Sequence, residues 1–320
     1  MTDAASAGTA IAPEAAKAAD APDVADVAAA KATIAKGSKS FAVAAKLFAP
    51  AMRADAVLLY AWCRHCDDVI DGQELGFAAP SPGVAAGLPG SQASTPEARL
   101  AALRAETLAA LDGTATDPVF RAVGAVMRRH AIPARYALDH LDGFAMDVAG
   151  RRYRTLDDLL GYCYGVAGVV GLMMAHIMGV RDPAVLRRAT DLGLAFQLTN
   201  IARDLVPDAA VGRVYAPEDW LAAAGIPLNA LAEPAHRQAL ATVAARLVAA
   251  AEPLYASARL GVAALPFRAA WAIGTASGVY RAIGTAVVRR GPRAWDSRVS
   301  TSTMAKLGHV AAGLGLALVG

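Results

Sequence analysis

The chain has 320 residues, with 31 Lys+Arg against 28 Asp+Glu for a net charge of +3, and 56% hydrophobic residues. That length allows one large domain or two small ones with ample apolar surface for a core, and so small a charge leaves no electrostatic footprint for nucleic acid. Charged residues make up only 18%, below the usual quarter, and alanine is over-used, which favours tightly packed helices and a surface suited to an apolar partner.

Residues 1–30 are mostly Ala, Asp and Pro with almost no large apolar side chains. They are expected to form a disordered tail, because they cannot offset their own ordering entropy. Asp3, Glu14, Asp20, Asp23 and Asp26 are the opposite of a basic secretory leader. From there on, apolar residues recur at spacings of three and four, and few β-branched alternating runs occur. The spacing predicts helices near 39–48, 51–72, 97–111, 117–130, 134–147, 155–178, 183–206, 235–259 and 266–290. Prolines 50, 96, 133, 183, 217, 234, 253 and 266 mostly punctuate their starts and stops. The Pro- and Gly-rich stretch 76–96 reads as a flexible loop. No uncharged apolar run reaches the ~18 residues of a spanning helix, so the chain is not expected to cross a membrane. The nearest runs are 166–180, which contains His176, and 310–320. The expected organisation is a tail over 1–30, one all-α domain over 31–308 and an apolar C-terminal tail over 309–320. That last segment reads as a disordered end, a docking helix or a membrane contact. Three cysteines cannot build a disulfide framework, which favours the cytoplasm.

Two acidic stripes carry the chemistry. Tyr60, Arg64, Asp67 and Asp71 are spaced +4, +3, +4 and fall on one helix face, with Asp68 rotated off it in a supporting position. Gln197, Asn200, Asp204 and Asp208 are spaced +3, +4, +4 on a second helix that is apolar up to Phe196. Two like-charged stripes that share a cavity need a counter-charge. Mg²⁺ supplies it, since it takes oxygen ligands and completes its shell with water and substrate phosphates. The pattern therefore suggests a diphosphate held between two aspartate walls, where the metal makes it a good leaving group. A solvated acidic face is the bland alternative for either stripe alone.

These residues resemble the squalene/phytoene synthase family, and within it the bacterial carotenoid branch. The matching segments are 37–41 (Gly-Ser-Lys-Ser-Phe), 60–71, 162–171, 192–204, 212–220 and the chain from Tyr280 onward, together about 33–307. The resemblance implies an all-α isoprenoid-synthase bundle with a central cavity between two Asp-rich helices. It also implies head-to-head condensation of two geranylgeranyl diphosphates to phytoene through a cyclopropylcarbinyl diphosphate. Diphosphate is released and no NADPH is consumed.

By the same likeness, Asp67, Asp71, Asn200, Asp204 and Asp208 hold Mg²⁺, with Mn²⁺ as the alternative. Tyr60, Arg64, Gln197, Asn200, Arg203 and Arg298 meet diphosphate, as do Ser38 and Ser40 near a helix start, and Phe41 beside them is a substrate contact. Tyr162 and Tyr215 match the family's cavity tyrosines. One departure is Pro207 within the second motif. It cannot donate to the Arg203 carbonyl and pushes Val206 from αR geometry, so a bend before Asp208 is possible, although tolerance is the expectation.

Other features have plainer readings. Cys63-x-x-Cys66 is expected to be structural despite its redox or zinc spacing. His65 and His176 read as packing histidines, and Met173, Met174 and Met178 as core. The run 166–171 suits both close helix packing and a smooth wall for polyprenyl chains. Because the product is apolar, contact with the cytoplasmic membrane surface is expected, and other carotenoid-pathway enzymes are candidate partners. The alternatives are a fifteen-carbon reaction giving dehydrosqualene or squalene and a non-catalytic binder of isoprenoid diphosphates, which should have lost one Asp motif. A terpene cyclase is a further alternative, but its second motif is absent after Asn200.

Overall fold

Proline and capping oxygens set most helix starts. In the computed structural model, which describes residues 27–28, 30, 39–74, 77–78 and 95–319, Thr95 Oγ1 accepts from the Ala98 N–H at 3.3 Å and Asp117 Oδ1 from the Val119 N–H at 2.8 Å. Asp182 caps the longest helix in the same way, and Thr155 with Asp158 forms a reciprocal capping box. Each satisfies backbone donors that the first turn leaves free. The helices are α1 (Lys39–Ala45), α2 (Pro50–Asp71), α3 (Pro96–Asp112), α4 (Pro118–Arg129), α5 (Ala134–Val148) and α6 (Leu156–Cys163). They continue as α7 (Val169–Ile177), α8 (Pro183–Ala210), α9 (Glu218–Ala223), α10 (Arg237–Val262), α11 (Phe267–Arg290) and α12 (Thr303–Val319). The only ladder among the described residues pairs β1 (Gln73–Glu74) with β2 (Phe77–Ala78), antiparallel. The rest of the expected loop over 76–96, and nearly all of the expected tail over 1–30, lie outside the described residues. Residues 27, 28 and 30 are helical, and Ala30 is buried in the core.

The core has two parts. One joins α2, α4, α5 and α7 through Trp62, Phe120, Leu141 and Met173. The other joins α8 to α10 through Leu198, Ile201, Leu240 and Leu247. Two stretches, Leu156–Ile177 and Pro234–Val262, are by composition long and apolar enough to cross a bilayer. Both pack within the bundle: α7 is almost wholly buried, and α10 runs along α8.

Three local features depart from the sequence expectation. The helix expected over 155–178 is interrupted by a π-helical turn at Tyr164–Gly168. This turn is wedged between neighbours that come close only because they are glycine. A Cβ on Gly165 would lie 2.8 Å from Gly143 Cα, and one on Gly193 only 2.3 Å from the Ala167 carbonyl oxygen. His140 Nδ1 stands 3.0 Å from the Gly165 carbonyl oxygen and meets an acceptor that the wider turn frees. Second, α8 runs through Pro207 to Ala210. Proline is absorbed in the last turn, where its ring is exposed and one lost hydrogen bond falls near water. Pro253, read as punctuation, also lies inside a helix, α10. Third, α9 and α12 were not among the expected helices. α12 lies antiparallel on α11, with Trp271 Nε1 donating to the Val310 carbonyl at 2.8 Å and Gly274 and Gly278 facing Gly313 and His309. Of the three readings offered for the C-terminus, it takes that of a docking helix.

Candidate active site

The last three turns of α2 place Trp62, Cys66 and Ile70 in the core and leave Tyr60, Arg64, Asp67 and Asp71 partly exposed on the opposite stripe. α8 does the same with Leu198, Ile201, Ala202 and Leu205 inward and Gln197, Asn200, Asp204 and Asp208 outward. Amphipathic patterning alone aims each stripe away from its own core. Between the helices lies an apolar cavity of about 310 Å³. Tyr60, Gln197, Asn200 and Tyr280 form its polar end, and Val166, Ala167, Val170, Gly171, Met174 and Met178 much of its wall. Phe196 stacks on Tyr280 with ring centroids 4.2 Å apart.

Guanidinium groups meet the carboxylates. Arg64 pairs with Asp67 at 2.9 Å and Asp68 at 2.8 Å. Arg203 grips the Asp204 carboxylate through Nε and Nη2, and Arg298 reaches the same carboxylate at 3.4 Å. Arg213, in the loop after α8, makes a two-pronged contact with Asp71 on α2 and so ties the two acidic helices together. That hydrogen bonding holds the Arg213 proton more tightly than usual.

Three carboxyls nonetheless hold their protons more tightly than usual. Withdrawal from water pushes the Asp67 carboxyl up to about 6, with Asp71 and Asp68 adding repulsion against the relief from Arg64. Asp208 rises to about 7 through desolvation and then repulsion from Asp204. Asp147, at the end of α5, rises to about 6, chiefly through desolvation. It accepts hydrogen bonds from Tyr162 Oη at 3.0 Å and Tyr215 Oη at 2.9 Å. The two rings stack at 5.0 Å, with Tyr153 packed against both.

The structure therefore gathers Tyr60, Arg64, Asp67, Asp71, Gln197, Asn200, Arg203, Asp204, Asp208 and Arg298 around one crevice, with Tyr162 and Tyr215 at its side on Asp147. Ser38 lies outside the described residues, and Ser40 and Phe41 belong to α1, of which only the backbone is described there. Sequence reasoning missed Asp147 and Arg213. Asp147 has no acidic partner one turn away to mark it. Arg213 was visible beside Tyr215, but only the tertiary fold brings it to Asp71. The donors are all oxygen, carboxylates and an amide, and mutual repulsion adds to desolvation in raising the pKa of three carboxyls, which fits a hard divalent cation. No three His, Cys, Asp or Glu side chains among the described residues converge at metal-holding distance.

The plainer readings also find their places. Cys66 is buried in the core and Cys63 faces the cavity, and desolvation raises both thiols. His65 sets its ring edge-on to Phe120 at 5.5 Å, and His176 meets Tyr136 at 5.7 Å.

Comparison with known proteins adds a second line. The squalene/phytoene synthase family profile matches residues 34–305. A 15-cis-phytoene synthase from Enterobacter agglomerans is 55% identical over 282 residues, 88% of this chain and 92% of that protein. The one from Pantoea ananas is 54% identical over 287 residues, covering 89% and 90%. Among solved structures, a ligand-bound dehydrosqualene synthase superposes with a TM-score of 0.79 at 26% identity, covering 92% of this chain and 98% of that one.

Proposed function

Because the chain belongs to the squalene/phytoene synthase family, we propose that it condenses two geranylgeranyl diphosphates head to head into phytoene, releasing diphosphate and using no reductant. The observation that carries this reading is identity above half, across nearly the full length of relatives named 15-cis-phytoene synthase. The same chain opens an apolar cavity beside two aspartate stripes.

The acidic donor set supports Mg²⁺, with Mn²⁺ as the alternative, held by Asp67 and Asp71 on one side and Asn200, Asp204 and Asp208 on the other. When bound, such a cation takes up the charge that develops on a departing diphosphate. The chain's own residues do the rest. Arg64, Arg203, Arg213 and Arg298 offer guanidinium donors to phosphate oxygens once cation binding frees them from the carboxylates. Tyr60, Gln197 and Asn200 orient the diphosphate end, and Ser38, Ser40 and Phe41 are assigned to the same end by likeness to the family. The hydrogen bonds to Asp147 hold the Tyr162 and Tyr215 rings beside the crevice. The cavity wall excludes water from the allylic cation, and the stacked faces of Phe196 and Tyr280 stabilise positive charge through their quadrupoles. The enzyme is assigned to the cytoplasm, in contact with a membrane surface.

Product analysis tests the reading. Purified protein with geranylgeranyl diphosphate and Mg²⁺, without NADPH, should give a forty-carbon product that EDTA abolishes. A thirty-carbon product, formed only from farnesyl diphosphate in a parallel reaction, would move the enzyme to the fifteen-carbon reaction. No product from either would overturn the proposal.

A further inference from the structure

The cavity does not end in solid core. α8 lines it from Asn200 back to Val185, a span of about 22 Å at 1.5 Å per residue. Its far end is closed by Met178, Val185 and Leu265. The same three side chains line a second hollow of about 390 Å³ between the α7–α8 and α10–α11 loops. That hollow faces solvent, since Gly179, Arg181, Ala264 and Pro266 around it are exposed. These three apolar side chains are common to the walls of the cavity and of the hollow at this pole.

The surface around the hollow is apolar and basic. Leu260 is 64% exposed and Phe267 is 47% exposed, flanking the α10–α11 loop. The antiparallel run of α12 carries Leu318, 69% exposed, toward the same pole. Arg181, Arg187, Arg259 and Arg268 are exposed there. Arg181 and Arg268 donate to the backbone carbonyls of His130 and Leu47, and none of the four has a carboxylate within ion-pair reach among the described residues. Asp182 is the only exposed carboxylate on these loops and their flanks, and its Oδ1 accepts from the Ala184 and Val185 N–H groups. Apolar side chains ringed by arginines that have no carboxylate partner match a surface of anionic headgroups over acyl chains.

We propose that this pole docks on an anionic lipid surface and that the cavity's far end is a second mouth, through which the forty-carbon product passes between Met178, Val185 and Leu265 into the bilayer. The inference rests on the phytoene-forming reading. It separates the crevice that admits charged substrate from the end that releases apolar product.

The test uses the full chain with vesicles of phosphatidylcholine alone or mixed with phosphatidylglycerol, following sedimentation, the first-turnover burst and the steady-state rate. Binding should need phosphatidylglycerol, and vesicles should raise the steady-state rate several-fold without changing the burst. Leu260→Ser with Phe267→Ser, or Arg187→Glu with Arg259→Glu, should weaken binding at least tenfold and remove the rate increase while sparing the burst. Met304→Ser with Leu307→Ser, on the exposed start of α12, should change neither. The proposal is overturned if the full chain fails to bind, if the α12 pair abolishes binding while the pole variants keep it, or if the pole variants lose the burst together with the rate. Loss of all product in wild type would refute the phytoene reading instead, and sedimentation would still report on the docking surface.

Discussion

Arg213 is the residue on which the two acidic walls meet. Its contact with Asp71 joins the first stripe to the loop after the second, and its charge also lowers Asp67, Asp147 and Asp208. Replacing it with Lys keeps the charge but loses the two-pronged geometry, so turnover should fall roughly tenfold, with a smaller change in melting temperature. Asp67→Asn and Asp204→Asn should each cut kcat about 100-fold, the scale of losing one preorganised electrostatic contact, while far-UV circular dichroism stays unchanged. Asp208→Asn should cost as much, because α8 carries Asp208 past Pro207 and close enough to Asp204 for mutual repulsion. Full activity in any of these aspartate variants would sink the metal assignment. Both stripes were legible as spacing in the sequence. Asp147 was not, since its partners Tyr162 and Tyr215 lie 15 and 68 residues away.

At the scale of elements, the helix pattern was legible wherever one face is apolar and a proline or capping oxygen marks the start. It failed where structure depends on a neighbour. The π-helical turn at 164–168 has helix-forming periodicity on either side, and only contact with α5 and α8 explains the extra residue. Gly193→Ala would drive a Cβ to 2.3 Å from the Ala167 carbonyl oxygen. Overpacking of this kind should cost ~2 kcal/mol in urea denaturation and reduce turnover, as the wall formed by Val166 and Ala167 shifts. Pro207→Ala restores one backbone donor at an exposed position near a helix end. It should stabilise the protein by up to ~1 kcal/mol, less than the ~3 kcal/mol penalty of proline in a helix interior, and leave kcat within twofold. α12 was only one of three readings for the C-terminus because, Lys306 and His309 apart, its residues are mostly apolar or small, so no stripe announces a buried face. The small-residue surface of α11 gives it one.

Across the whole molecule, the crevice withdraws three carboxyls from water and adds repulsion among them, and this has a thermodynamic consequence. Asp67, Asp147 and Asp208 titrate at about 6, 6 and 7 in the folded chain, above the carboxylate's ordinary 3.8. Between those values the folded state binds more protons than the unfolded state, so stability falls as pH rises from about 4 to 7 and levels off above. Chemical denaturation without metal should show that decline, and Asp208→Asn should flatten it, gaining on the order of 1–3 kcal/mol at pH 8. A flat wild-type profile would mean that burial does not hold these carboxyls above their ordinary range. The sequence by itself determined the all-α class, the two aspartate stripes and their faces, because periodicity and spacing are properties of a single helix. Only the tertiary structure decided that Arg213 and Asp147 join those stripes, that Pro207 is tolerated, and that the cavity shares Met178, Val185 and Leu265 with a hollow at a basic, apolar pole. Those features are contacts between segments far apart in the chain, and no local pattern encodes which segments will meet.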